Sequence, residues 1–160
     1  MTTLTHFDAS GAPLMVDVSA KPETLRTATA SGRVAMSRDA LDLVRAGRSR
    51  KGDAAAVAEL AGVMGAKRTA DLIPLCHPLA LTGVEVRARV DEDASAVEIV
   101  ATAKTTGPTG VEMEAMTAVS VACLALYDML KAVDRGMRIE NIRLIEKTGG
   151  ASGHYVSERP

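Results

Sequence analysis

The sequence predicts an α+β fold, an antiparallel sheet packed against helices, and three observations carry that prediction. Val84, Val86, Ala88 and Val90 alternate with charged residues, and Val97, Ile99, Ala101 and Ala103 repeat the pattern after the turn Asp91-Glu92-Asp93, the period of a half-buried hairpin. Positions 111 to 133 are apolar nearly all round, as in a helix buried between a sheet and a second surface, which another subunit could supply. The order of elements, one strand, two helices, the hairpin, the long helix and a last strand, is the split βαββαβ arrangement of ferredoxin-like folds with one helix added.

Residues 1 to 13 mix Thr, Ser, Gly and Pro without periodicity and are expected to form a flexible tail, the single domain running from 14 to 153 and beginning at Leu14-Met15-Val16-Asp17-Val18. Small and β-branched residues from Thr24 to Met36 predict a strand, and Ser31-Gly32 marks a bend or bulge in it. Ser37 offers an N-cap to a helix over 38 to 46, with Leu41 and Val44 as its stripe and Gly47 just past its end. A basic loop follows, carrying Arg45, Arg48, Arg50 and Lys51. Asp53 then caps a helix whose expected stripe is Val57, Leu60, Ala61 and Met64, running toward Lys67-Arg68 at its negative end. Pro74 and Pro78 bracket a stiff loop around Leu75-Cys76-His77. Ile139 to Lys147 reads as the last strand, the glycine-rich run from Thr148 to Gly153 ends it, and 154 to 160 are expected to form a polar tail.

Composition narrows the function. The 160 residues hold 47% hydrophobic positions, enough for one core, and 19 basic against 20 acidic residues leave a formal charge of −1. That balance argues against a dedicated nucleic-acid or membrane-surface binder, so any anion site must be local. Phe7, Tyr127 and Tyr155 are the only aromatic residues, too few to stack bases. Cys76 and Cys123 share no paired spacing, which suits a reducing cytoplasm and suggests neither a disulfide framework nor a paired-cysteine metal site. The run from Ala115 to Tyr127 is too short to span a bilayer.

Several residues have chemistry to offer. His77, held between prolines beside Cys76, is either a proton-transfer group or a packed turn histidine. Lys51 closes a cationic run that either grips phosphate or is simply solvated, and Lys21, Arg26 and Lys147 add cations near strand ends. Glu112, Glu114, Asp128 and Lys131 are the charged positions within the apolar 111 to 133 helix. Glu114 and Asp128 are 14 residues apart and so about 21 Å apart along the axis. One short ligand hardly reaches both, so they serve a long substrate or a site shared with another chain; Asp128 and Lys131 also form an ordinary i, i+3 pair. The glycine-rich stretches 106 to 110 and 148 to 153 match neither a Walker A nor a dinucleotide-binding pattern.

Lys51-Gly52-Asp53, Ala66-Lys67-Arg68-Thr69, the segment from Asp71 to Leu79, the segment from Thr109 to Ala115, Tyr127-Asp128-Met129 and Lys147-Thr148-Gly149-Gly150, together with Met15-Val16-Asp17-Val18, closely resemble the cyclic pyranopterin monophosphate synthase family of molybdenum-cofactor biosynthesis. The resemblance spans about residues 14 to 153. It implies a lyase that converts 3′,8-cyclo-7,8-dihydro-GTP, made by a radical S-adenosylmethionine GTP cyclase, to cyclic pyranopterin monophosphate and pyrophosphate. It also implies a hexamer, a trimer of dimers of ferredoxin-like subunits with interfacial active sites, and no tightly bound cofactor or protein-held metal; Mg2+ is left open as a companion of substrate or pyrophosphate. Carried over residue by residue, Asp128, Lys51 and Lys131 match catalytic positions, with His77 a further proton-transfer residue. Leu75, Cys76, His77, Met113 and Glu114 match substrate-binding segments, and Lys21, Arg26, Glu112 and Lys147 match further polar positions of the pocket. Ala54-Ala55 and Glu59 depart from the family pattern, Glu59 standing where a basic residue is common. Two rivals remain: a non-catalytic sensor of a nucleotide or small anion at a subunit interface, which would need the cations but not Asp128, and an RNA-binding module, which would want aromatic residues that these strands lack.

Overall fold

In the computed structural model, residues 6–8, 10–47, 52–151 and 153–158 are described. Five strands form one antiparallel sheet: β1 (Thr24–Ala35), β2 (Leu81–Asp91), β3 (Ala96–Gly107), β4 (Arg138–Thr148) and β5 (Tyr155–Val156), in the order β2-β3-β1-β4-β5. The helices are α1 (Arg38–Arg45), α2 (Ala54–Lys67), the single turn α3 (Thr69–Leu72) and α4 (Glu112–Leu130). With α2 and α4 packed on each other and on the sheet, the first four strands have the ferredoxin-like order that the sequence predicts.

Local signals set most boundaries. Ser37 accepts a hydrogen bond from the Ala40 N–H at 3.4 Å, and Asp53 Oδ1 accepts from Ala55 and Ala56 at 3.0 and 3.1 Å, so each helix starts on its predicted cap. The bulge expected near Ser31-Gly32 is present, since β1 shifts register against β4 between Thr29 and Ala30 and again between Ser31 and Arg33. In the hairpin the core side of β3, with Val97, Ile99, Ala101 and Ala103, is wholly buried.

Two expectations differ from the structure, and two segments expected as tails carry local pairing. The stripe Val57, Leu60 and Met64 is exposed, and α2 instead buries Ala54, Ala58, Gly62, Gly65 and Ala66. The reason is close approach: small residues let α2 lie almost backbone to backbone on α4, so the larger side chains are turned outward. The long helix stops at Leu130 rather than 133, where Asp134 N–H bonds back to the Leu130 carbonyl at 3.1 Å and Asp134 Oδ2 takes the Ser37 N–H at 2.7 Å. Within the region read as a polar C-terminal tail, Tyr155 and Val156 pair with Lys147 and Glu146, because β4 would otherwise offer an open edge to two strand-forming residues. Within the expected flexible tail, Phe7 and Pro13 form an isolated bridge around a turn in which Asp8 Oδ1 accepts from Ser10 and Ala12.

Glu59, the departure on α2, reaches the other edge: its Oε1 accepts the Ala88 N–H of β2 at 2.9 Å, satisfying one donor of an edge strand. By length and composition α4 could cross a membrane, but half of that stretch is buried here against the sheet and α2, the place of a core helix.

A Cβ at Gly62 would sit 2.9 Å from the Ala118 carbonyl and 3.0 Å from Val86 Cγ1. Gly62→Ala is therefore expected to lower stability despite gaining about 1 kcal/mol of helix propensity, because overpacking costs about 1–3 kcal/mol. Urea unfolding at fixed protein concentration checks it; a midpoint at or above wild type contradicts the close packing.

Candidate functional site

Two clefts meet where β1, β3 and β4 end near the start of α4. The first, about 270 Å3, is lined by Val16, Val18, Leu75, Cys76, His77, Leu79, Met113 and Glu114, with His6 at its rim. The second, about 830 Å3, is lined by Pro22, Thr24, Arg26, Pro108, Lys147, Gly150 and Ala151. Lys21, Thr109, Gly110 and Glu112 border both, so the two are continuous.

The first cleft is built by a stiff loop. Pro74 and Pro78 restrict it, the Cys76 N–H closes a turn onto the Ile73 carbonyl at 3.1 Å, and Thr105 Oγ1 donates to the Ala80 carbonyl at 2.7 Å. His77 Nε2 lies 2.7 Å from the Val16 carbonyl, which can only accept, so Nε2 carries the proton and Nδ1 is the acceptor in the neutral ring. That bond also fastens the segment 14 to 18 to the cleft.

Opposite the loop, the first turn of α4 presents Glu112, Met113 and Glu114. Glu114 is 4% exposed, and burial pushes its carboxyl above the ordinary carboxylate range; its own backbone N–H opposes the shift and the Glu112 charge adds to it. Cys76 faces the same pocket, and its thiol is pushed up by partial burial and then by the Glu114 charge. A neutral thiol is a poor nucleophile, so Cys76 suits contact with a ligand better than attack on it.

The second cleft collects cations. Lys147 Nζ pairs with Glu112 Oε1 at 3.2 Å, tying the end of β4 to the start of α4. Arg26 is buried; its Nε donates to the Gly107 carbonyl at 3.3 Å and its Nη2 to the Pro108 carbonyl at 3.1 Å. Gly149 and Gly150, at φ of +97° and +73°, lay the other glycine-rich loop against the same guanidinium, and a Cβ on Gly150 would collide with it. Arg26 thus holds two loops together, a role that no local sequence signal indicated. The loops border the cleft at Thr109, Gly110, Gly150 and Ala151.

The nine residues expected to bind substrate, Leu75, Cys76, His77, Met113, Glu114, Glu112, Lys21, Arg26 and Lys147, all border these two clefts. Asp128 and Lys131 do not. They sit exposed near the other end of α4, joined at 2.7 Å, and the hydrogen bond and charge of Asp128 raise Lys131 above the ordinary lysine range. Helix rise sets Asp128 about 21 Å from Glu114 along the axis, and Lys131 lies nearly one turn beyond it. Lys51, with Arg48 and Arg50, lies outside the described residues. His6 and Leu79 were missed: His6 falls in a stretch without periodicity, and Leu79 gave only the signal of its place after Pro78. Among the described residues no cluster of three His, Cys, Asp or Glu side chains is arranged to hold a metal ion.

The model of the MoaC family matches residues 15–150. A cyclic pyranopterin monophosphate synthase of Heliobacterium modesticaldum is 61% identical over 158 residues, 99% of each chain. Those of Parvibaculum lavamentivorans and Thermomicrobium roseum are 63% and 60% identical, covering 97% and 99% of this chain and 97% and 95% of their own.

Burial pushes the Cys123 thiol to about 12, whereas Cys76 is partly exposed at a cleft. Iodoacetamide on the native protein should therefore alkylate Cys76 while Cys123 reacts only on unfolding, as read by peptide mass spectrometry. Equal labelling of both in the native state contradicts the burial of Cys123.

Proposed function

The chain belongs to the MoaC family, and on that premise we propose that its two continuous clefts hold the substrate of a lyase that forms cyclic pyranopterin monophosphate for molybdenum-cofactor biosynthesis. The substrate is 3′,8-cyclo-7,8-dihydro-GTP and the second product is pyrophosphate. The observation that carries the site assignment is the junction of a small pocket walled by Glu112, Glu114 and His77 with a cation-bearing cleft at Lys21, Arg26 and Lys147.

That division suits the reaction. Opening the purine's five-membered ring and closing a pterin takes several proton transfers, the work of carboxyl and imidazole groups at fixed positions. The small pocket supports placement of the ring system there. Displacing pyrophosphate as a cyclic phosphate forms concentrates negative charge, which preorganised cations stabilise without reorganisation. Lys21 and Lys147 border the larger cleft beside residues of two glycine-rich loops, and Arg26 ties those loops together. The chemistry needs no tightly bound cofactor; Mg2+, where it takes part, arrives with the substrate phosphates or leaves with pyrophosphate.

Asp128, Lys131 and Lys51 are the proposed catalytic residues, with His77. Because Asp128 stands about 21 Å from Glu114 along one rigid helix, with Lys131 one turn farther on, the reading requires them to serve the cleft of a neighbouring copy. The exposed Val57, Leu60 and Met64 of α2 and Leu124 of α4 support such contacts, since a helix layer this apolar is costly to leave in water. A hexamer built as a trimer of dimers, working in the cytoplasm after a radical S-adenosylmethionine GTP cyclase, completes the proposal.

Incubation with 3′,8-cyclo-7,8-dihydro-GTP should release pyrophosphate and cyclic pyranopterin monophosphate in equal amounts. Asp128→Asn, Lys51→Ala and Lys131→Ala should each leave the oligomer folded and cut turnover at least about a hundredfold, the scale of lost acid and base catalysis. Near-wild-type turnover in these variants sinks the assignment, and tight binding without turnover by the wild type favours an anion sensor. Mixing Asp128→Asn with Glu112→Gln subunits tests the shared site: random reassociation into dimers rebuilds about a quarter of the sites, whereas a site within one chain regains nothing.

A further inference from the structure

Behind the first cleft lies a smaller one of about 130 Å3, bounded by Ala66, Lys67, Thr69, Ala70, Asp71 and Pro78. Its front wall consists of His77, Leu79 and Glu114, which also line the first cleft. Glu114 therefore has a cavity on either side. It is 96% buried, and among the described residues the one hydrogen bond that favours its ionised form comes from its own backbone N–H. The groups that face it are Glu112 on its own helix, Cys76 and His77 on the proline-bracketed loop, Lys21 and His6 across the first cleft, and Lys67 and Asp71 across the second. Lys67 and Asp71 are exposed, so the rear cleft opens to solvent between them.

A carboxyl group buried without a cation bonded to it favours its neutral form, and a neutral carboxyl is a donor. Substrate filling the first cleft would cut Glu114 off from solvent on that side. We propose that Glu114 donates a proton to the bound substrate and that the rear cleft is the route by which solvent restores it. In this step the Glu114 O–H bond breaks, an N–H or O–H bond forms on a substrate atom that supplies the lone pair, and the carboxylate takes up a solvent proton from the rear. Nothing is oxidised or reduced. The rear cleft has room for several water molecules, and the Thr69 hydroxyl, bonded to the Ala66 carbonyl at 2.9 Å, lines its wall.

The inference rests on the lyase reading and refines it. Its test measures kcat and KM with 3′,8-cyclo-7,8-dihydro-GTP between about pH 6 and 9 for the wild-type oligomer, Glu114→Gln and Ala70→Leu, the last to fill the rear cleft. Wild-type kcat should fall as pH rises and the donor ionises. Glu114→Gln should lose at least about a hundredfold in kcat with KM within about threefold, and should lack that alkaline limb. Ala70→Leu should keep KM, lower kcat about tenfold and enlarge the solvent isotope effect; Ala70→Val, a smaller filler, serves if the first variant fails to fold. A raised KM with unchanged kcat in Glu114→Gln overturns the donor role, and unchanged kcat in a folded Ala70 variant overturns the rear route. Absence of product from the wild type sinks the lyase reading itself.

Discussion

The contact between α2 and α4 is the constraint on which the rest of the molecule depends. Gly62 and Gly65 bring α2 so near that a Cβ at Gly65 would sit 2.8 Å from Val121, and Gly32 lets α4 settle on β1 in the same way. Helix α4 is thereby gripped on two sides along its buried length. A helix held so rigidly fixes two places at once: its first turn, with Glu112, Met113 and Glu114, and its last, with Asp128. Neither can move toward the other, because their separation is a matter of backbone rise. The same small residues that permit this grip turn the large apolar side chains of α2 outward, so tight packing inside the chain leaves an apolar surface outside it.

This explains where the sequence was legible and where it misled. Capping chemistry is local, so Ser37 and Asp53 announced their helices, and the alternation of β2 and β3 announced the hairpin and its buried face. The α2 stripe misled because periodicity identifies the face with large apolar residues, while burial here follows the face that can come closest. Tyr155 and Val156 are too few to carry a period, and their pairing depends on a free edge elsewhere in the sheet. In the site, residues in dense motifs such as Leu75-Cys76-His77 and Glu112-Met113-Glu114 could be read directly. The fixing of His77 by the Val16 carbonyl and of two loops by Arg26 could not, since these bonds join segments 61 and about 80 positions apart.

Charge follows the same division of labour. The chain is nearly neutral overall, yet its clefts are not: carboxyl groups crowd the small pocket and cations border the large one. The Lys147 and Glu112 pair lies at their junction, and Glu112 in turn raises Glu114. An anion seated in the larger cleft would draw on Lys147 and loosen its hold on Glu112, and a freer Glu112 carboxylate strengthens the tendency of Glu114 to keep its proton. If the larger cleft takes the substrate phosphates as proposed, their binding would in this way be coupled to protonation at Glu114 by two charge contacts.

The division also bears on the proposal that the site is completed by a second subunit. Asp128 and Lys131 hold each other in their charged forms at 2.7 Å, in water, where a lysine raised above its usual range keeps its proton and is a fixed positive charge rather than a base. In water that pairing is worth little. Covered by another copy, the same two charges would lose solvent and gain the substrate as a third partner, and the balance between them would become sensitive to the charge of what is bound. On the proposed reading, a fold that exposes its apolar helix face beside such a pair, while its own cleft lies at the other end of α4, would begin its chemistry only when two chains meet.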